Sequence, residues 1–164
     1  MIHQKSDGLN EANIEKEKNT STTNQLSDSW ISKILVAVDH SENAKRALKT
    51  AVELALKYRS DLLVLNAVQI DKYGYQHGKY TEEDGQELVD HAVFSARDKG
   101  LPVKGIVKRA EVSVVQTIIE CATEEKVDLI VIGTRGQGGF KRLLLGSVSS
   151  GVVAHGPCNV LVVR

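Results

Sequence analysis

Cysteine is scarce in this sequence: Cys121 and Cys158 are the only two in 164 residues, and neither forms a CxxC pair. A disulfide-dense scaffold is excluded, and reduced thiols in a cytosolic protein are the expectation. An excess of one charge is also missing. Twenty-one Lys and Arg balance twenty-one Asp and Glu, which argues against a protein that coats nucleic acid or an anionic membrane. Long apolar runs are lacking too. The longest aliphatic stretches, residues 62–65 and 129–132, fall far short of the ~20 residues that span a bilayer. Residues 1–29 carry isolated Ile2, Leu9, Ile14 and Leu26 among polar neighbours, so no secretory apolar segment is read there. A cytoplasmic protein without nucleic-acid or membrane partners is expected.

What is present suits a folded domain. Apolar residues make up 41% and charged residues 26%, enough for a packed core. Residues 1–30 are the exception, with acids at Asp7, Glu11, Glu15, Glu17 and Asp28 among Asn, Ser and Thr. Such a segment cannot bury enough apolar surface to offset its ordering entropy, so a disordered polar extension is expected over 1–30 and a single domain over 31–164.

Within 31–164, β-branched runs alternate with helical periodicity. Residues 33–39, 61–68, 103–108, 128–133 and 160–163 read as buried strands. Between the first two, Ser41 can cap a helix whose apolar face is Ala44, Ala47, Leu48, Ala51, Val52 and Ala55. Further helices are expected near 81–99, stopped by Gly100, over 113–126 with Val114, Ile118 and Cys121 inward, and over 147–155. Alternation of this kind predicts an α/β fold: one doubly wound, Rossmann-like domain with a five-stranded parallel sheet and four helices. Ligands of such sheets bind beyond the carboxyl ends of the strands.

One stretch carries the most chemistry. From Gly133 the chain reads Gly-Thr-Arg-Gly136, then Gly138, Gly139, Lys141, Arg142, and finally Gly146-Ser147, with no acid from Gly133 to Arg164. Glycines let main-chain N–H groups approach a ligand, and a helix opening at Gly146-Ser147 offers unpaired N–H groups to an anion. Arg135, Lys141 and Arg142 add positive charge. A polyphosphate fits. The spacing matches no G-x-x-x-x-G-K-[ST] loop, because Gly139 occupies the lysine position, and no G-x-G-x-x-G follows the first strand.

The spacing Gly133-x2-Gly136-x9-Gly146-Ser147 resembles the nucleotide-binding signature of the universal stress protein family. Residues 33–41 (Lys-Ile-Leu-Val-Ala-Val-Asp-His-Ser), 128–133 and 156–163 are similar to that family as well, so the resemblance covers about 32–164. It implies a sheet order of 3-2-1-4-5 and an ATP site. Asp39 would stand near the ribose and phosphates, with Ala37 and Val38 along the base and the backbone of Ala67 meeting adenine. Ile132 would flank the nucleoside, and Gly133, Gly136, Gly146, Ser147 and the backbone of Val148 would hold the phosphates, with Arg135 nearby. Mg2+ or Mn2+ would ride on the phosphates. The resemblance also implies a homodimer through the edge strand of Val160, Leu161, Val162 and Val163.

Other groups suggest no further chemistry. The histidines show no i, i+4 pairing that would hold zinc, and His40 reads as a solvent-exposed turn residue. Cys121 reads as core, Ser147 as a possible helix cap, and no G-x-S-x-G elbow is present. Tyr73, Tyr75 and Tyr80 follow the second strand and could cover a base. The leading expectation is an ATP-dependent regulatory module with an unidentified regulatory partner. Slow ATP hydrolysis or autophosphorylation on the same site, and a nucleotide-free dimeric interaction domain, are the alternatives.

Overall fold

In the computed structural model, residues 30–70, 80–136 and 145–164 are described. All but Trp30 of the extension expected over 1–30, the tyrosines Tyr73 and Tyr75, and the cations Lys141 and Arg142 lie outside them. Five apolar runs form strands: β1 (Lys33–Ala37), β2 (Asp61–Gln69), β3 (Val103–Ala110), β4 (Leu129–Gly133) and β5 (Asn159–Val163). They pair in parallel in the order β3-β2-β1-β4-β5, as expected. Parallel neighbours need crossovers. These are α1 (Glu42–Tyr58), α2 (Glu82–Arg97), α3 (Val114–Glu124) and α4 (Ser147–His155).

Strand alternation sorts the core into two layers. Ile34 and Val36 of β1 pack with Ala47, Ala51 and Ala55 of α1 and Val89, Ala92 and Ala96 of α2. Leu35, on the opposite face, packs with Ile118, Cys121 and Ala122 of α3 and Val152 of α4. Helices therefore cover both faces, which explains why β1 and β4 are apolar at nearly every position. Among the described residues, no helix is long and apolar enough to cross a membrane.

Three strand ends, those of β1, β2 and β3, differ from expectation, and side chains explain the first. β1 stops at Ala37 rather than reaching Asp39. Val38 still donates its N–H to Leu65 O, but its carbonyl is taken by the buried side chain of Asn66, Nδ2 at 2.8 Å. Asp39 then turns the chain by accepting the Ser41 N–H on Oδ1 at 3.0 Å, a local bond that competes with a ladder. β3 runs on to Ala110, beyond the expected 108, because β2 also continues and pairs Gln69 with Ala110.

Helix ends follow local chemistry. Ser41 caps α1 by accepting the Ala44 N–H, as its position predicted. Past α2, Gly100 adopts φ +79, a left-handed conformation natural to glycine. Thr81 and Asp84 close a capping box at the start of α2. Hydrogen bonds from the Thr81 backbone N–H and its hydroxyl hold the Asp84 carboxyl below its ordinary value of 3.8. A depressed carboxyl contributes stability that is complete above its unfolded value and lost as pH falls through its folded one. Acidification below about pH 4 should therefore lower the amide protection factors in the first turn of α2 in the wild type, measured against the intrinsic exchange rate at each pH. In Asp84→Ala that turn should already exchange fast at neutral pH, and equal exchange in the two proteins would count against the cap.

Candidate ligand site at the carboxyl edge of the sheet

β1 and β4 are neighbours whose following helices leave to opposite faces: α1 packs in one layer and α4 in the other. A crevice opens where the order reverses. It holds a cavity of about 500 Å3, within the size range of small-molecule sites. Ala37, Val38, Asp39, Ala67, Ile132, Gly133, Arg135, Gly136, Gly146, Ser147 and Val148 all line it. The structure thus brings these eleven candidate residues into one place. Ser41, Ala44, Leu65, Val114, Ile118 and Ser149 line it too, and the sequence did not single these out as site residues. Val114 and Ile118 carried the signal of an apolar helix face, which reads the same whether that face meets a sheet or a cavity.

One end of the cavity is built for an anion. α4 starts at Ser147, with Gly146 as N-cap at φ −74, ψ 166 and no side-chain cap. The capping role considered for Ser147 therefore falls to Gly146, and Ser147 is the first helical residue. The first N–H groups of a helix have no intrahelical acceptor, so those of Ser147 and Val148 point their partial positive charge outward. The turn itself is held from behind. Gly146 N–H donates to Thr134 O at 2.7 Å, and the buried Ser149 hydroxyl approaches Thr134 O at 2.8 Å and Gly146 O at 3.0 Å.

Arg135 stands beside this turn. Its carbonyl accepts from Asn43 Nδ2 at 3.1 Å and from the Ser41 hydroxyl at 3.4 Å, which ties it to the start of α1. Its Nε is buried and has no hydrogen-bond partner among the described residues, so the guanidinium fits an incoming anion. Asp39 faces the same space. A Cβ added to Gly136 would lie 2.6 Å from Asp39 Oδ2, so the missing side chain leaves room for that carboxylate.

Gly133 has a packing role beside the one expected of it. A Cβ there would lie 2.8 Å from the backbone carbon of Asn43. Its bareness therefore serves the approach of α1 to β4, whatever it also does for a ligand.

The other end is apolar, walled by Ala37, Leu65, Ala67, Val114, Ile118 and Ile132. β1 pairing ends at Ala37 opposite Leu65, and Leu65 gives its carbonyl to Val38. Peptide groups two residues apart share an edge, so those of Ala67 point past the end of β1 with no strand of the described residues beside them. A flat heteroatom-bearing ring can use both the apolar walls and these free groups.

Groups outside the cavity fill in the picture. His40 is half-buried rather than solvent-exposed as its turn position suggested. It stacks on Tyr80 with centroids 3.8 Å apart and planes 13° from parallel, and this contact screens its ring. Burial pushes the thiols of Cys121 and Cys158 above their ordinary value, so neither is a ready nucleophile. Among the described residues no cluster of His, Cys, Asp and Glu could hold a metal ion.

The universal stress protein family model matches residues 31–164. A protein of Staphylococcus saprophyticus named as a universal stress protein is 34% identical over 139 residues, which is 80% of this chain and 82% of that one. Universal stress protein UspA from Lactobacillus plantarum has a solved structure that covers 84% of this chain and 100% of its own at 31% identity, with a TM-score of 0.61. The universal stress protein from Archaeoglobus fulgidus in complex with dAMP covers 83% of this chain and 100% of its own, with a TM-score of 0.63. At 24% identity, that last likeness is one of fold.

Proposed function

This chain belongs to the universal stress protein family, and we propose that it is an ATP-binding regulatory module of the cytoplasm. The observation that carries the reading is a single cavity joining an uncapped helix N-terminus to an apolar slot. The slot would take adenine, with Ala37, Val38 and Ile132 along the nucleoside and the peptide groups of Ala67 at the ring edge. Asp39 would stand by the ribose and phosphates. Gly133, Gly136, Gly146 and the N–H groups of Ser147 and Val148 would line the phosphate path, and Arg135 would add charge. Mg2+ or Mn2+ would be carried by the phosphate oxygens, with Asp39 the one carboxylate among the described lining residues.

ATP regulates only if it binds one conformation or assembly better than another. The edge strand β5 gives it something to act on. Among the described residues its outer side has no neighbour in the sheet, and Leu161 is exposed, so β5 is the place for a second copy of the chain to form a two-fold dimer.

Calorimetric titration with MgATP tests the reading, with AMP and inorganic phosphate run beside it. Dissociation near 1–10 µM is expected for MgATP, about 7–8 kcal/mol of binding, with AMP and phosphate alone weaker because each fills one end of the site. A folded wild type that gives no heat with any of them overturns the proposal. Asp39 and Arg135 are the titratable side chains among the described lining residues, so binding is favoured over turnover. Phosphate release faster than about 1 per second would reverse that preference.

A further inference from the structure

The edge strand and the anion-binding turn meet at one buried peptide. Thr134, just past β4, is 8% exposed. It donates its N–H to the carbonyl of Val163, in the last position of β5, at 2.7 Å. Its own carbonyl accepts the Gly146 N–H at 2.7 Å and the Ser149 hydroxyl at 2.8 Å. One side of this residue thus grips β5, and the other grips the first turn of α4.

We propose that Thr134 is a positioning residue that latches the ligand end of α4 to the end of β5, so that ligand affinity depends on how well β5 is ordered. This rests on the nucleotide reading above and specifies its regulation. Gly146 has no side-chain cap, so Thr134 O is the main-chain acceptor that fixes where the turn sits. Helix-end electrostatics fall off within a turn, and a small swing of Gly146 takes the N–H groups of Ser147 and Val148 off the phosphates. The Val163 carbonyl, drawn away, releases Thr134 and permits that swing.

Linkage makes the effect reciprocal. Anything that pairs with the free edge of β5 and orders it tightens ligand binding. Ligand in the cavity, in turn, orders β5. Successive peptide groups of a strand point to opposite edges, so the group of Val163 turned toward Thr134 is not one that an added strand would use. Both contacts can be made at once.

The test uses the full chain and Val163→Ala, which trims a side chain packed in the α1–α2 layer without touching the cavity. Amide exchange is followed at Thr134 and Gly146, and MgATP affinity by calorimetry. The variant is expected to exchange faster at both amides together and to bind MgATP at least about fivefold more weakly. Val163→Ile should restore both. In the wild type, saturating MgATP should slow exchange along β5, a measurement that needs no variant to fold. Faster exchange at Thr134 with Gly146 unchanged, or an unaltered MgATP affinity, overturns the latch. If the wild type binds no ATP, the nucleotide reading fails while joint exchange of the two amides still upholds the latch. ATP binding with independent amides sinks the latch alone.

Discussion

Gly133→Val is expected to lower the unfolding free energy by about 3 kcal/mol, the upper part of the range for overpacking a filled site. For a chain of this size that is a drop of roughly 6–12 °C in Tm. The new Cβ would lie 2.8 Å from the backbone carbon of Asn43 and 2.9 Å from its Cβ and carbonyl oxygen. Backbone cannot rotate away as the tip of a side chain can, so the first turn of α1 must move off β4. That turn also holds the site, because Asn43 Nδ2 and the Ser41 hydroxyl both bond the Arg135 carbonyl. Stability and ligand affinity should therefore fall together. Urea denaturation and calorimetry on the same sample check this, and an unchanged midpoint would show that α1 does not need the bare glycine. Gly133→Ala carries the same Cβ contact without the added methyls and should lose less.

A loss of ligand in Gly133→Val thus says nothing certain about phosphate contact, and this marks where the sequence was hard to read. Spacing alone cannot tell a glycine that clears a ligand from one that clears a helix. Gly133, Gly136 and Gly146 share one motif but meet three different neighbours: the Asn43 backbone, the Asp39 carboxylate, and the Thr134–Arg135 main chain. The parallel sheet was more legible, because it follows from β-branched runs alternating with helical periodicity, and its strand order was the one the motif resemblance implied.

Asn66 was less visible. It sits within an apolar run, and its partner, the Val38 carbonyl, is 28 positions away. A polar residue inside a buried strand is nonetheless a signal, since a buried amide has to find a partner. Here it found the peptide that ends β1 and leads into Asp39. His40 shows the same limitation: its turn position suggested exposure, and only the fold brings Tyr80 onto its ring. Local pattern placed the elements, and the motif resemblance named residues that line one cavity. Which side chain braces which peptide depends on approaches between distant segments.

A cleaner probe of the anion end is Ser147→Pro, which is expected to weaken MgATP binding about 10–100-fold while leaving the fold intact. Ser147 is the first residue of α4, and proline is favoured there because that N–H has no intrahelical acceptor to lose. The preceding Gly146, at φ −74, ψ 166, already has the extended backbone that a following proline demands. The unfolded chain loses freedom as well, so stability should stay within about 0.5 kcal/mol of wild type or rise. What disappears is one N–H donor and one hydroxyl at the mouth of the cavity. A hydrogen bond to a charged group contributes about 1.5–3 kcal/mol, which sets the expected loss of affinity. Adenosine, which has no phosphate, should bind both proteins equally, whereas ATP should discriminate between them. Ser147→Ala removes the hydroxyl alone and should lose less than proline does. If Ser147→Pro melts like the wild type and binds MgATP just as tightly, the phosphates do not lie on the N-terminus of α4, and the polar end of the cavity must be reassigned.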